Sequence, residues 1–388
     1  MFDLRTPIER FAPWIALGCF LLAGAAYGVG LIDITSINNL GRYIGLAIVA
    51  LGIDLVWGYA GILSLCQAMF FCLGGYAIGM YLAMHGPLDG DNHDIPRCLF
   101  VVSSVVSGMQ LPWFWKPFGS LAFATLAALA LPGLLAFVYG WFTFRSRVRG
   151  VYFSIITQAT TVAVWLIFCQ NSILLCGTNG LTNFTTIAGC DLTQPAVKFG
   201  MFAVSAVILI LVWLLCRALV RSRSGRLLVA VRDNEVRLRF AGYDPAAFKV
   251  FVFTVGGMLA GLGGMIYTPQ TGIITPANMA AIESVNLVIC VAVGGRGTLT
   301  GAVIGAFVYC FLKSYLTSKV PFLWEYILGA LFVSVVLFFP AGLYGLIPGP
   351  GARKVSGGGD DDDEGEEGET GTPGAPPAAP AVAAGAAS

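Results

Sequence analysis

Ser64, Gln67 and Phe71 are spaced i, i+3 and i+7, so a helix would place all three on one face. Thr157 and Gln158 add a hydroxyl and an amide within another apolar run. The four polar members of this set carry no charge. They can donate and accept hydrogen bonds, which suits a small neutral solute. Such residues in membrane helices also bond to neighbouring helices or to their own backbone, so packing is the competing account of each. Asp54 is an acid near the end of an apolar run. Intramembrane acids mark function by default, and a satisfied helix-end acid accounts for Asp54 equally. Glu283 and Glu325 begin apolar runs, where a helix N-terminus favours an acid. Nothing here points to bond-breaking chemistry. The chain has no Gly-x-x-x-x-Gly-Lys phosphate loop, no His-Glu-x-x-His and no Gly-x-Ser-x-Gly.

The elements that must hold these side chains are membrane helices. Of the 388 residues, 57% are hydrophobic and 11% charged, and the mean hydropathy is +0.80. Many runs approach the roughly 20 apolar residues needed to cross a bilayer. The fold class is therefore all-α, a polytopic membrane protein; a β-barrel would show short alternating segments instead. Residues 1–12 form a polar head, 13–345 the membrane domain and 346–388 a tail. Ten spans are expected, at Pro13–Leu31, Leu40–Trp57, Gly58–Met84, Phe118–Phe144, Val151–Gln170, Phe199–Cys216, Val250–Tyr267, Ser284–Val293, Leu299–Tyr315 and Phe322–Phe339. Gly58–Met84 is too long for one plain helix and has Gly74-Gly75 in its middle. A short broken or re-entrant piece followed by a span fits it better. Gly75/Gly79, Gly257/Gly261 and Gly297/Gly301/Gly305 are small-xxx-small patterns that let helices approach closely. The tail, with Asp360–Asp363 followed by Pro/Ala repeats, cannot bury apolar surface and is expected to be disordered.

One polar island interrupts the apolar chain. Arg217–Lys249 holds seven arginines, one lysine and three acids. Its pattern predicts one amphipathic helix over Leu227–Phe240, stopped by Gly242, with Pro245 blocking continuation. Asp233, Glu235 and Asp244 mix acids among the arginines, which suits a protein groove better than an anionic lipid surface. With this insert in the cytoplasm and the spans alternating, 16 of the 22 basic residues fall on its side. The positive-inside rule then puts both termini in the cytoplasm.

Several motifs together resemble the branched-chain amino acid (LivH/LivM-type) ABC transporter permeases. They are Trp57-Gly58-Tyr59-Ala60-Gly61-Ile62-Leu63-Ser64-Leu65 with Gly74-Gly75-Tyr76, Arg149-Gly150-Val151-Tyr152-Phe153, and Gly177-Thr178-Asn179-Gly180-Leu181. The insert adds Gly225-Arg226, Ala230 to Glu235 and Ala241 to Asp244, and Val293 to Thr298 completes the set. The resemblance spans about residues 40 to 345. Where the family commonly has Ser-Leu-Gly-His, this chain has Ser64-Leu65-Cys66-Gln67, and Asp54 stands where Asn is common. These variants and Trp113 to Pro117 look more like the urea-transport branch, in its LivM-like permease subunit.

The resemblance implies a permease subunit of an ATP-driven importer in a bacterial inner membrane, carrying urea, or alternatively a branched-chain amino acid. It implies a second permease subunit, cytoplasmic ATPase subunits and a periplasmic solute-binding protein as partners, with no cofactor in this chain and ATP used by the ATPase. Gly225, Arg226, Arg232, Asp233, Glu235 and Gly242 match the ATPase-coupling segment. Asp54, Tyr59, Ser64, Gln67, Phe71, Thr157, Gln158 and Asn179 are the substrate-pathway candidates. An ion-coupled secondary transporter using Asp54, Glu283 or Glu325, or a passive urea channel, are the rivals of another class.

Overall fold

The computed structural model describes residues 33–86, 112–146, 150–171, 174–338 and 342–343, together with Gly18, Phe20 and Gly24. Most of the expected first span, most of the polar loop after His85, and the acidic tail lie outside the described residues. Eleven α-helices are described: α1 (Ile34–Ile53), α2 (Gln67–Met84), α3 (Leu121–Arg145), α4 (Val151–Phe168), α5 (Pro195–Arg221), α6 (Arg223–Asp233), α7 (Glu235–Phe240), α8 (Pro245–Thr271), α9 (Ala281–Gly294), α10 (Leu299–Lys319) and α11 (Trp324–Phe338). A π-helix, Asp54–Tyr59, continues α1. Among the described residues, seven stretches are long and apolar enough to cross a membrane: 34–59, α2, α3, α4, α5, α8 and α10. The shorter apolar α9 overlaps the expected span Ser284–Val293, and α11 falls within Phe322–Phe339.

The bundle is built around α8, which packs on α1, α2 and α3 at once. Its glycines make this possible. Gly256 and Gly263 lie against the carbonyls of Gly52 and Gly45 on α1, and Gly264 lies against the Phe71 carbonyl on α2. Gly257 and Gly261 face α3 at Ala136 and Ala128. With no hydrophobic drive between helices in lipid, such close backbone approach supplies the dispersion contacts that hold them. A Cβ on Gly264 would sit 1.9 Å from the Phe71 carbonyl oxygen, a backbone atom that cannot swing away. Gly264→Ala should therefore cost about 1–3 kcal/mol by overpacking, read as a lower melting temperature in detergent. Alanine at Gly200, which has open space around it, is the matched control.

The chain does break after α1, but not at Gly74-Gly75. Those glycines lie inside α2, where Gly74 meets the backbone of Gly261 on α8. The break is Ala60–Cys66. It starts because Gly61 takes φ +72°, a conformation open to glycine. The Gly61 N–H donates to the Trp57 carbonyl and the Ile62 N–H to the Val56 carbonyl, closing the π-helix.

The insert also differs from expectation. It is two helices, α6 and α7, with Asn234 between them in an extended conformation. The Asn234 side chain accepts from the Arg237 N–H and caps α7, the local alternative to a helix interior that Asn favours. Gly242, at φ +83°, ends α7 as expected. Pro245 begins α8, where Asp244 caps the new helix by accepting from the Ala246 N–H. Proline is suited to that first turn because its missing N–H would go unused there.

Candidate functional site

Between the π-helix and α2 the chain is non-helical while still packed among membrane helices, so its backbone groups need partners. Helix α4 supplies them with a row of hydroxyls. Ser154 Oγ donates to the Leu63 carbonyl at 2.8 Å. Thr157 Oγ1 accepts from the Leu65 N–H at 3.2 Å and donates to the Ser154 carbonyl at 2.8 Å. Thr161 Oγ1 shares its one proton between the Thr157 carbonyl of its own helix at 2.9 Å and the Leu65 carbonyl at 3.2 Å. Ser154, Thr157 and Thr161 are buried, while Val151, Tyr152, Ile155 and Ile156 on the same helix are exposed. The spacing i, i+3, i+7 is what puts the three hydroxyls on the inward face. From α9, Ser284 Oγ accepts from the Ala68 N–H at 3.4 Å, serving the first turn of α2.

Gln67 opens α2 at the end of the break and is 1% exposed. Neither polar atom of its amide has a hydrogen-bond partner. Burying an unpaired amide costs about 1–3 kcal/mol by mutational measures, so this side chain calls for a function. It packs toward Gly256 on α8, about 16 Å along that helix from Pro245 at 1.5 Å per residue. That places the free amide near the middle of α8, a helix long and apolar enough to cross a membrane. The half-buried Gln158 also has an unpartnered Oε1. Ser64 Oγ lies 3.1 Å from Cys66 Sγ, and Tyr59 is buried at the end of the π-helix.

The pathway candidates do not form one cluster. Phe71 lines a cavity of about 90 Å³ together with Leu46, Leu287, Tyr267, Asn278, Glu283 and Lys313. Glu283 and Lys313 form an ion pair at 3.6 Å. Asn179 is exposed, on a turn that packs beside Pro276–Met279. That turn lies where β1 (Leu181–Thr182) pairs with β4 (Ile273–Ile274), at the end of α8 opposite the insert.

Asp54 lies at the insert end of the break. It is fully buried, and its Oδ1 accepts the Gly297 N–H at 2.6 Å. This bond ties the π-helix to the loop between α9 and α10. Arg296 of that loop stands over the Trp57 ring, 5.7 Å from its centroid. The sequence shows Thr157 and Thr161 at i, i+4 but ties neither Thr161 nor Ser154, Ser284 or Gly297 to the break; Ser154, three residues before Thr157, carries a helical-spacing signal that could have added it to the pair.

The coupling-segment residues divide by what they touch. Gly225 is buried against the Val220 carbonyl and allows the sharp joint between α5 and α6. Arg232 turns inward: Nη1 donates to the Gly58 carbonyl at 2.8 Å, and Nη2 pairs with Asp233 at 3.1 Å. Glu235 pairs with Arg239 and Lys249, both at 2.8 Å, joining α7 to α8. Arg226, Val236, Arg237, Phe240 and Tyr243 are exposed, leaving a mixed apolar and basic face open.

The family model described as branched-chain amino acid transport system / permease component matches residues 36–336. The chain belongs to this permease family. It is thus a multi-pass, non-enzymatic membrane subunit of an ABC importer, and the family implies ATPase and solute-binding partners. Among the family's characterised members, the high-affinity branched-chain amino acid transport system permease protein LivM of Escherichia coli K12 is 23% identical over 336 residues. That match covers 81% of this chain and 70% of LivM. LivM of Salmonella typhimurium LT2 is 22% identical over the same shares. The autoinducer 2 import system permease protein LsrC of Salmonella choleraesuis is 28% identical over 158 residues, 39% of this chain and 46% of LsrC. No solved structure gives a significant match.

Proposed function

We propose that this permease carries a small neutral amide-like solute of the urea class, with Gln67 as the group that reads it. The supporting observation is the Gln67 amide: buried, beside the middle of α8, and with donor and acceptor both unspent. Urea presents matching acceptor and donor groups and no charge. Gln158 Oε1 adds a second free acceptor, and the α4 hydroxyls hold the backbone beside it. In this reading a solute-binding protein delivers the solute, a sister permease completes the pathway, and a separate ATPase chain hydrolyses ATP. The insert faces the cytoplasm of a bacterium and the chain sits in its inner membrane. The basic-residue asymmetry of the sequence supports that orientation.

A branched-chain amino acid is the second reading, and the cavity around Phe71 favours it. An opposed pair, Glu283 and Lys313, sits there beside Leu46 and Leu287. Such a lining suits a zwitterion with an apolar side chain. The names of the LivM relatives point the same way.

The test uses the complete importer in vesicles, with labelled urea and labelled leucine, with and without ATP. ATP-driven urea uptake is expected, and Gln67→Leu should lower it about tenfold or more, the factor that ~1.4 kcal/mol supplies. ATP-driven leucine uptake without urea uptake would move the assignment to the second reading. Urea uptake indifferent to ATP would make the protein a channel and defeat both.

A further inference from the structure

The contacts of Arg232 set it apart from the rest of the insert. Its aliphatic stem lies on Gly61, where a Cβ would stand 2.5 Å from Arg232 Cγ. Its Nη1 donates to the Gly58 carbonyl at 2.8 Å. Both contacts fall at the closure of the π-helix. The Ile62 N–H reaches back to Val56, and the Gly61 N–H to Trp57. The Gly58 carbonyl thus lies at the C-terminal end of a helix, where a cation is favoured by the aligned backbone dipoles. Only 28% of the Arg232 side chain is exposed, against 63% for its neighbour Asp233. Arg232 therefore faces the permease rather than solution.

We propose that Arg232 is the strut through which the insert sets the conformation of the Ala60–Cys66 break. It acts as a positioning residue, not as part of the surface that the ATPase grips. The mechanical chain is short. Movement of α6 displaces the guanidinium, which pulls on Gly58 and Gly61. The break continues directly into Gln67 and the first turn of α2. Two neighbouring contacts anchor the other side of the same joint, Asp54 on Gly297 and Arg296 over Trp57. The break therefore pivots between the insert and the α9–α10 loop. This inference rests on permease membership and is independent of the cargo.

The experiment compares Arg232→Leu, Arg232→Lys and Asp233→Asn in the assembled importer. Three quantities are read: the ratio of solute-stimulated to basal ATP hydrolysis, co-purification of the ATPase subunit, and hydrogen exchange of the Gly61–Cys66 amides. Arg232→Leu should drop the stimulation ratio to near one and speed exchange about tenfold or more at the break, with the ATPase still bound. Arg232→Lys keeps one donor and should recover part of the ratio. Asp233→Asn leaves the Gly58 bond and should leave the break protected. Loss of ATPase binding with unchanged exchange would make Arg232 a docking residue and overturn the inference, as would an unchanged ratio. If Arg232→Leu lowers the yield of protein, Arg232→Lys carries the same comparison. An importer stimulated by a solute other than urea would overturn the cargo and leave the strut intact.

Discussion

Replacing Ser154, Thr157 and Thr161 together by Ala, Val and Val should abolish transport and unfold the break. Ser154 and Thr157 serve the Leu63 carbonyl and the Leu65 N–H, and Thr161 divides its proton between the Leu65 carbonyl and the Thr157 carbonyl of its own helix. Each buried backbone group left without a partner costs about 1–3 kcal/mol. Three of them amount to a large share of the ~5–15 kcal/mol that holds a typical domain together. In water the loss would be softened by solvent, but among packed membrane helices solvent has no easy entry. The triple variant should show a lower melting temperature, faster hydrogen exchange over Ala60–Gln67, and no uptake. Thr157→Val alone removes the acceptor of the Leu65 N–H and should give a partial loss. Thr160→Val is the control. Its hydroxyl bonds back to the Ile156 carbonyl on its own helix and lies 3.4 Å from the Tyr139 hydroxyl, so it holds nothing in the break. Full transport by the triple variant would show that the break needs no clamp from α4.

The same hydroxyls show how far the sequence carries. Thr157 was expected to line a pathway or to bond with neighbours. In the structure its oxygen is spent on Leu65 and Ser154, while Gln67 and Gln158 among the pathway candidates keep unpartnered polar atoms. Composition cannot tell these cases apart, because both put an uncharged polar residue in an apolar run. Only the helix that arrives opposite decides which side chain is satisfied. The spans themselves were legible, since each needs a long apolar run and little else. The break was legible as excess length but misplaced. A glycine pair inside a membrane helix serves close packing as readily as it serves a kink, and Gly74-Gly75 packs on α8 and β4. The positive φ that ends the π-helix falls on Gly61, a single glycine within the Trp57 to Leu65 motif rather than the conspicuous glycine pair. In the insert, the apolar period ran through Asn234 as if the helix were continuous. The structure resolves the conflict in favour of the capping side chain, which accepts from the Arg237 N–H.

Asp54→Asn should keep transport, and Asp54→Leu should lower it about tenfold or more. Asp54 is fully buried, and its Oδ1 accepts the Gly297 N–H at 2.6 Å. Gly58 lies against both groups, so that a Cβ there would stand 2.3 Å from Oδ1 and 2.4 Å from the Gly297 nitrogen. Acceptance at that oxygen is therefore the geometry to preserve, and the asparagine amide preserves it with nearly the same volume. Leucine offers no acceptor and leaves the Gly297 N–H buried. A hydrogen bond to a charged group contributes about 1.5–3 kcal/mol, so uptake by Asp54→Leu should fall about tenfold or more and the α9–α10 loop should exchange faster. The pair of variants also separates two mechanisms. An acid that carries protons for a secondary transporter must titrate, and Asn cannot titrate. Uptake that survives in Asp54→Asn and still follows ATP would assign Asp54 to the joint between the π-helix and Gly297. Uptake lost in Asp54→Asn, with the protein folded and the ATPase bound, would return the carboxylate to the transport chemistry itself.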